Sequence, residues 1–183
     1  MPSVISIHVP KSAGTSLLKL FQVAFGSENV LADYEDRPGN PISQMYLDPV
    51  RWEKSRPKSL PAGVSVVHGH FHPCKYDHIS DAFRMTFLRH PVCNLISTYL
   101  YWKAIPPQPN PLHRYFLDNN LGVFELAQIP LLRYLLSKTY FGGWDMAKLD
   151  FIGRHETRKD DLKCLEPLLG CPCCCCCRWK APV

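Results

Sequence analysis

The sequence predicts one α/β domain with a central parallel sheet flanked by helices. Three short apolar segments, at 4–9, 64–67 and 84–88, each end in a loop of polar or small residues, and helical spacing of apolar residues follows the first and the third. Strands that alternate with helices in this way form parallel sheets, because a helix carries the chain back between two parallel strands. A chain of 183 residues, 46% hydrophobic and 20% charged, is long enough for such a core and is not typical of a disordered or fibrous protein.

The elements follow in order from these patterns. Residues 4–9 are rich in β-branched side chains and precede a helix that begins within a Ser/Thr-rich turn and continues to residue 25. Prolines and charges interrupt 33–61, which we expect to be a surface excursion with little regular structure. The strand at 84–88 leads into a helix predicted over 92–103.

The second half of the chain is predicted to be mainly helical. PPQPNP at 106–111 breaks the chain, and short helices continue to residue 137 with interruptions at Gly122 and Pro130. A last strand is predicted over 149–153 and a last helix over about 157–169. We therefore place the α/β domain at residues 1–170.

Charge and cysteine content narrow the classes of partner and compartment. The net charge of 21 − 16 = +5 suits an anionic ligand, and we expect no nucleic-acid partner. Three scattered cysteines in the domain make no disulfide framework, and the other six lie in a segment at 171–183 that we predict to be an unstructured tail, with S-palmitoylation as the alternative. With no signal peptide and no apolar run near ~20 residues, the sequence predicts no transmembrane segment and a cytoplasmic protein; a Golgi-lumen location is expected if an anchor precedes this chain.

The loop after the first strand, PKSAGTS, has the composition of an anion cradle. Small residues let the backbone approach a ligand closely, a lysine adds a cation, and the helix start adds N–H groups and hydroxyls. It is not a Walker A loop, because its lysine precedes its only glycine. An ordinary capped helix start is an equal alternative on composition alone. The candidate ligands are Lys11, Ser12, Ala13, Gly14, Thr15 and Ser16.

Two further loops carry polar side chains at the ends of strands. In RHP, Arg89 has a planar donor fork that suits a phosphate, and Ser97 follows in the next helix. In HGHFHP, three histidines and Cys74 alternate along an extended backbone, an arrangement that admits a zinc site or a polar loop without a special role. Zinc is disfavoured because alternate side chains lie roughly 6–7 Å apart on a strand. Since loops after parallel strands converge at one edge of the sheet, we expect these segments to meet.

Three segments in the same order resemble the sulfotransferases that use 3′-phosphoadenosine 5′-phosphosulfate (PAPS). They are HVPKSAGTSL, TFLRHPVCNLISTYLYW and DFIGRHETRKDDLKCL, and the resemblance runs from about residue 4 to about 169. It is closest to the carbohydrate branch, of the heparan sulfate 2-O-sulfotransferase type. The resemblance implies a P-loop-like sulfotransferase fold and, because it ends near residue 169, a C-terminally shortened one.

The same resemblance implies roles for individual residues. Lys11 and residues 12–16 would bind the 5′-phosphosulfate, and Arg89 and Ser97 the 3′-phosphate. His70 is the expected base that takes the proton of a hydroxyl acceptor on a saccharide, with His68 as a supporting or alternative base. Lys11 is also an expected catalytic residue, which with the loop amides would stabilise the charge on the departing bridge oxygen. The product is PAP, and we expect no metal.

Two other functions remain open from the sequence. The first is a non-catalytic protein that binds PAP or PAPS, which a shortened C-terminus would favour. The second is a P-loop-type nucleotide kinase or NTPase, against which the position of Lys11 argues.

Overall fold

In the computed structural model, which describes residues 3–170, five strands form one sheet in which every pairing is parallel. The order across the sheet is β2-β3-β1-β4-β5. The predicted α/β fold with a parallel sheet is confirmed. The strands are β1 (Val4–His8), β2 (Val30–Asp33), β3 (Val66–Gly69), β4 (Phe83–Leu88) and β5 (Phe151–Arg154).

Helices surround this sheet, and most of the predicted ones are present. The predicted helix at 92–103 spans 91–104, and the predicted breaks at Gly122 and Pro130 separate three short helices. A proline occupies the first turn of four helices, where its missing N–H costs nothing. The α-helices are α1 (Gly14–Phe25), α2 (Gln44–Leu47), α3 (Pro49–Ser55), α4 (Pro91–Ala104), α5 (Pro111–Asp118), α6 (Val123–Gln128), α7 (Pro130–Arg133) and α8 (Arg158–Leu168).

The segment at 33–61 has more regular structure than the sequence predicted. Two helices, α2 and α3, lie within it, so the expectation of an irregular excursion was wrong for this part. Pro49 starts α3 instead of breaking the chain, because the Asp48 side chain accepts a hydrogen bond from the Arg51 N–H at 3.0 Å and caps the helix. Trp52 on the same helix is buried.

The core lies on both faces of the sheet. On one face, Ile5 and Ile7 of β1 pack with Phe71 and with the aromatic side chains of 140–144. On the other, Val4, Val66 and Met85 pack with residues of α1 and α8. Burial on both faces explains why the strands are continuous apolar runs in the sequence. Because all five strands are parallel, their carboxyl ends and the loops that follow lie along one edge.

Two sequence predictions concern the membrane and the tail. Within residues 3–170, no helix combines the length and the apolar character needed to cross a membrane. The predicted cysteine-rich tail at 171–183 lies outside the described residues.

Gly69 ends β3 where the backbone of β2 comes closest. A Cβ atom at this position would overlap the carbonyl of Asp33, which is backbone and has no room to move. We expect Gly69→Ala to lower the free energy of unfolding by about 2–3 kcal/mol, measured by urea denaturation. Gly122→Ala is the matched control, since its Cβ would meet only the flexible, exposed side chain of Glu125, and we expect a loss below about 1 kcal/mol. Equal losses in both variants would contradict this account.

Candidate functional site

A pocket of about 420 Å³ opens at the carboxyl edge of the sheet. Residues from the ends of β1, β4 and β5, from the segment after β3 and from helices α1 and α4 form its wall. Eight of the ten site residues predicted from the sequence line it, whereas Ser12 and His68 are buried outside the wall. The lining residues are His8, Pro10, Lys11, Ala13, Gly14, Thr15, Ser16, His70, Arg89, Ser97, Tyr101 and His155.

The loop between β1 and α1 presents unused N–H groups to this pocket. Lys11 and Ala13 have positive φ angles of 63° and 72°, and Ser12 between them does not. A backbone in which the sign of φ alternates turns successive N–H groups toward one side, which is the geometry of an anion-binding nest. Within residues 3–170, the N–H groups of 12–15 have no hydrogen-bond acceptor. The nest, the α1 N-terminus and its dipole therefore favour an anion at the same point.

Buried hydrogen bonds from the neighbouring elements hold this loop. His68 is fully buried; its Nε2–H donates to the Gly14 carbonyl at 3.1 Å, and its Nδ1 accepts from the Ser6 hydroxyl at 2.9 Å. From α4, the Asn94 amide donates to the Pro10 carbonyl at 2.7 Å. Each left-handed non-glycine residue costs about 1–3 kcal/mol, so bonds of this kind are needed to keep the loop in its conformation.

These contacts give His68 a role that differs from the supporting or alternative base predicted from the sequence. With both ring nitrogens engaged and no exposed surface, His68 has no lone pair to offer to a substrate hydroxyl. Burial is also the main cause that lowers its pKa to about 4, so the ring is neutral at pH 7. The geometry makes His68 a support of the loop and not a supporting base.

His8, which the sequence analysis did not single out, lies at the centre of the histidine cluster. Its ring stacks on His70 with centroids 4.2 Å apart and on His68 at 5.1 Å. The same ring occupies the space that a Cβ on Gly14 would need, so Gly14 is required by close packing and not by a positive φ. The available signal was its position: His8 is the last residue of β1, directly before the loop.

His70 is oriented by one short bond and keeps its other nitrogen free. Its Nδ1 lies 2.6 Å from the His8 carbonyl, which only accepts, so Nδ1 carries the proton and donates. The Tyr140 hydroxyl lies 3.2 Å from the same nitrogen. In the neutral ring the lone pair is then on Nε2, which has no partner within residues 3–170. Burial lowers the pKa of His70 to about 4, so this lone pair is present at neutral pH.

Two cations, Lys11 and Arg89, lie close together in the pocket wall. Among the described residues, Lys11 and Arg89 form no ion pair, and no carboxylate lines the pocket. Burial and then the charge of Arg89 lower the pKa of Lys11. The Lys11 Nζ lies 3.9 Å from the centroid of the Tyr101 ring, and Arg89 donates to the Lys11 carbonyl at 3.3 Å. Bringing two like charges together is unfavourable until an anion neutralises them.

Hydroxyl groups complete the donor set. Thr15 and Ser16 stand in the first turn of α1, and Ser97 lies on α4 one turn before Tyr101. Ser12 differs from the expectation, because its hydroxyl is buried without a partner among the described residues and its side chain is not part of the pocket wall. The N–H of Ser12, and not its hydroxyl, belongs to the anion cradle.

His72 and Cys74 serve a local turn. The Nδ1 of His72 accepts from the Cys74 N–H at 3.3 Å, and its Nε2 donates to the Gly142 carbonyl at 3.1 Å. His72 therefore caps the turn at Pro73–Tyr76 and lies outside the pocket. In the part of the chain that the structure describes, no group of three or more His, Cys, Asp or Glu side chains is arranged so that it could hold a metal ion.

The segment after β5 forms hydrogen bonds with the residues on either side of Arg89. Arg154 pairs with Leu88 in the β4–β5 register, and the next residue, His155, donates its N–H to the Leu88 carbonyl at 2.7 Å. The Glu156 carboxylate then accepts from the N–H of His90 at 3.0 Å. This contact holds the turn that carries Arg89. It also places His155, another residue that sequence analysis did not identify, in the pocket wall.

Comparisons with known proteins do not assign a family. No protein-family model matches the chain, and no curated protein matches it. The function is therefore argued from the residues of the pocket and from their geometry.

The histidine cluster makes the fold sensitive to acid. Burial is the main cause that holds the pKa values of His8, His68 and His70 below the ordinary value of about 6.5, so the unfolded chain binds more protons than the folded one in acid. Their contribution to stability is complete above about pH 6.5 and is lost as the pH falls, toward about 4 for His68 and His70 and toward about 2 for His8. We expect the free energy of unfolding, from urea titrations at pH 7 to 5.5, to fall by more than about 1.4 kcal/mol per pH unit, the limit for one histidine.

A single substitution tests whether the histidine cluster causes this dependence of the free energy of unfolding on pH. His68→Gln removes one of the three rings, and its stability should depend less steeply on pH than that of the wild type, whatever its stability at pH 7. A wild-type free energy of unfolding that is constant between pH 7 and 5.5 would contradict the account of the cluster.

Proposed function

We propose that this chain is a sulfotransferase that moves a sulfuryl group from PAPS to a hydroxyl of a saccharide acceptor. One observation carries the proposal: a single pocket brings together two cations that form no ion pair, Lys11 and Arg89, and the free N–H groups of the loop. His70, whose Nε2 is free, lines the same pocket. Each of the three segments that resemble PAPS-dependent sulfotransferases contributes to this pocket, which supports the proposal.

The donor set suits a ligand with two separate anionic groups. The nest at 11–14 and the hydroxyls of Thr15 and Ser16 form one group of donors, to which we assign the 5′-phosphosulfate. Arg89 and Ser97 form a second group on β4 and α4, to which we assign the 3′-phosphate. The absence of any carboxylate among the pocket residues favours a polyanion over a cationic ligand.

When bound, PAPS supplies a sulfuryl group attached through a bridging oxygen to a good leaving group. His70 accepts the proton of the acceptor hydroxyl on Nε2, while its Nδ1–H stays bonded to the His8 carbonyl and fixes the ring. As the acceptor oxygen bonds to sulfur, the bond from sulfur to the bridging oxygen breaks. Lys11 and the loop amides stabilise the charge that this oxygen acquires.

The low pKa of His70 fits this role once the polyanion is present. Without ligand, burial keeps the ring neutral. Negative charge placed near the ring favours its protonated form and raises the pKa toward the operating pH, where a general base is most effective. The polyanion thus brings the base to a useful pKa.

We expect Lys11→Ala and Arg89→Ala to weaken the binding of PAP by about tenfold or more each, because each removes a charge-assisted donor from a partly buried site. Lys19→Ala, which removes an exposed lysine of α1 outside the pocket, is the matched control and should bind as the wild type does. The measurement is isothermal titration calorimetry with PAP at fixed salt. Unchanged dissociation constants for Lys11→Ala and Arg89→Ala would remove the anion site assigned to them.

His70→Ala should reduce sulfuryl transfer by about 10²–10⁴-fold while PAP binds nearly as before, since a general base contributes to the chemical step and not to the anion site. Transfer is measured with PAPS and a panel of saccharide and phenolic acceptors. His78→Ala, which removes an exposed histidine outside the pocket, is the control. Wild-type turnover in His70→Ala would refute the assignment of the base. Tight PAP binding by the wild type without transfer to any acceptor would favour the non-catalytic binding protein instead.

A further inference from the structure

His155 stands beside Arg89 at the carboxyl edge of the sheet. Strands β4 and β5 pair in register up to Leu88 and Arg154. Arg89 and His155 are therefore the residues that directly follow these two adjacent strands. The N–H of His155 continues the ladder by donating to the Leu88 carbonyl at 2.7 Å, and both side chains line the same pocket. The backbone therefore fixes the imidazole next to the guanidinium that we assign to the 3′-phosphate.

The ring of His155 is partly buried and has no partner of its own. Neither ring nitrogen forms a hydrogen bond within residues 3–170. Three charged groups act on it: Arg89 and Arg158 oppose its protonation, and Glu156 favours it. Since Glu156 is exposed and already accepts the His90 N–H, it is not positioned in the pocket as a counter-charge for the imidazole.

We propose that His155 is a specificity-determining residue of this site, which binds the 3′-phosphate together with Arg89 and takes up a proton from solvent when it does so. This inference rests on the proposed function. It adds to that function a titratable group that distinguishes nucleotides with a 3′-phosphate from those without one.

The charge balance of the pocket gives the reason for proton uptake. In the free protein a third positive charge beside Arg89 and Lys11 is unfavourable, and burial and then Arg89 lower the pKa of His155, so the imidazole is neutral at pH 7. A phosphate dianion reverses the sign of the local field and favours the imidazolium. The second ring nitrogen then becomes a donor, and the ring makes a charge-assisted bond that the neutral form does not make.

A comparison of the wild type with His155→Gln tests the proposal by calorimetry at pH 8, 7 and 6, in buffers of different ionisation enthalpy. The ligands are PAP and 5′-AMP, which lacks the 3′-phosphate. We expect His155→Gln to bind PAP about tenfold more weakly than the wild type at pH 6, with a smaller difference at pH 8, and to bind 5′-AMP equally well. Because the ligand titrates identically in every experiment, the ratio between variant and wild type isolates His155.

Two further variants sharpen the result. His155→Lys places a fixed positive charge at the position and should bind PAP with wild-type affinity or better, but without the proton uptake that accompanies binding to the wild type. His90→Gln, next to Arg89 but outside the pocket wall, keeps its backbone bond to Glu156 and should match the wild type.

The outcomes separate this inference from the function on which it rests. If the wild type does not bind PAP at any pH, the proposed function and the inference are both wrong. If the wild type binds PAP but His155→Gln equals it in affinity and in proton uptake at every pH, the inference alone is overturned. Equal losses for PAP and 5′-AMP in His155→Gln would also overturn it, because the residue would then not discriminate the 3′-phosphate.

Discussion

The pocket depends on the hydrogen bond that the buried His68 donates to the carbonyl of Gly14. The Gly14 carbonyl only accepts, so Nε2 of His68 carries the proton, and the Ser6 hydroxyl donates to Nδ1. The bond to Gly14 ties the start of α1 to the sheet. Between these anchors and the end of β1, the loop contains two left-handed residues, Lys11 and Ala13, that would relax if the carbonyl were released. The strain that exposes the loop amides is therefore maintained by the elements around the loop, the sheet and α4, and not by the loop itself.

The site combines two kinds of basic side chain. Burial makes its histidines neutral, whereas Arg89 supplies a guanidinium, which only donates hydrogen bonds. The pocket can therefore present fixed positive charge from one side and a free imidazole lone pair, on His70, from another. A pocket in which every basic group was charged would hold an anion and would have no base.

The sequence predicts those parts of the fold whose signals are local. A β-branched run, a small-residue turn and helical spacing define β1 and α1, and the same logic finds β4 and α4. The sequence does not predict the strand β2, because it has only four residues, its apolar residues are not buried, and it is held by pairing with β3. Pro49 was misinterpreted because a proline at the first position of a helix and a proline in a loop have the same local pattern.

The histidines show why a site is harder to predict than a strand. Alternation along the chain correctly gives His68 and His70 a common face, but their roles differ because β3 ends between them, at Gly69. His68 lies within the ladder opposite Ser6 and is enclosed by its neighbours. His70 lies one residue past the strand, where its Nδ1 meets the His8 carbonyl and its Nε2 is left for a ligand. At the end of β3, the last paired residue on this face, His68, therefore supports the loop, and the first unpaired one, His70, reaches the pocket.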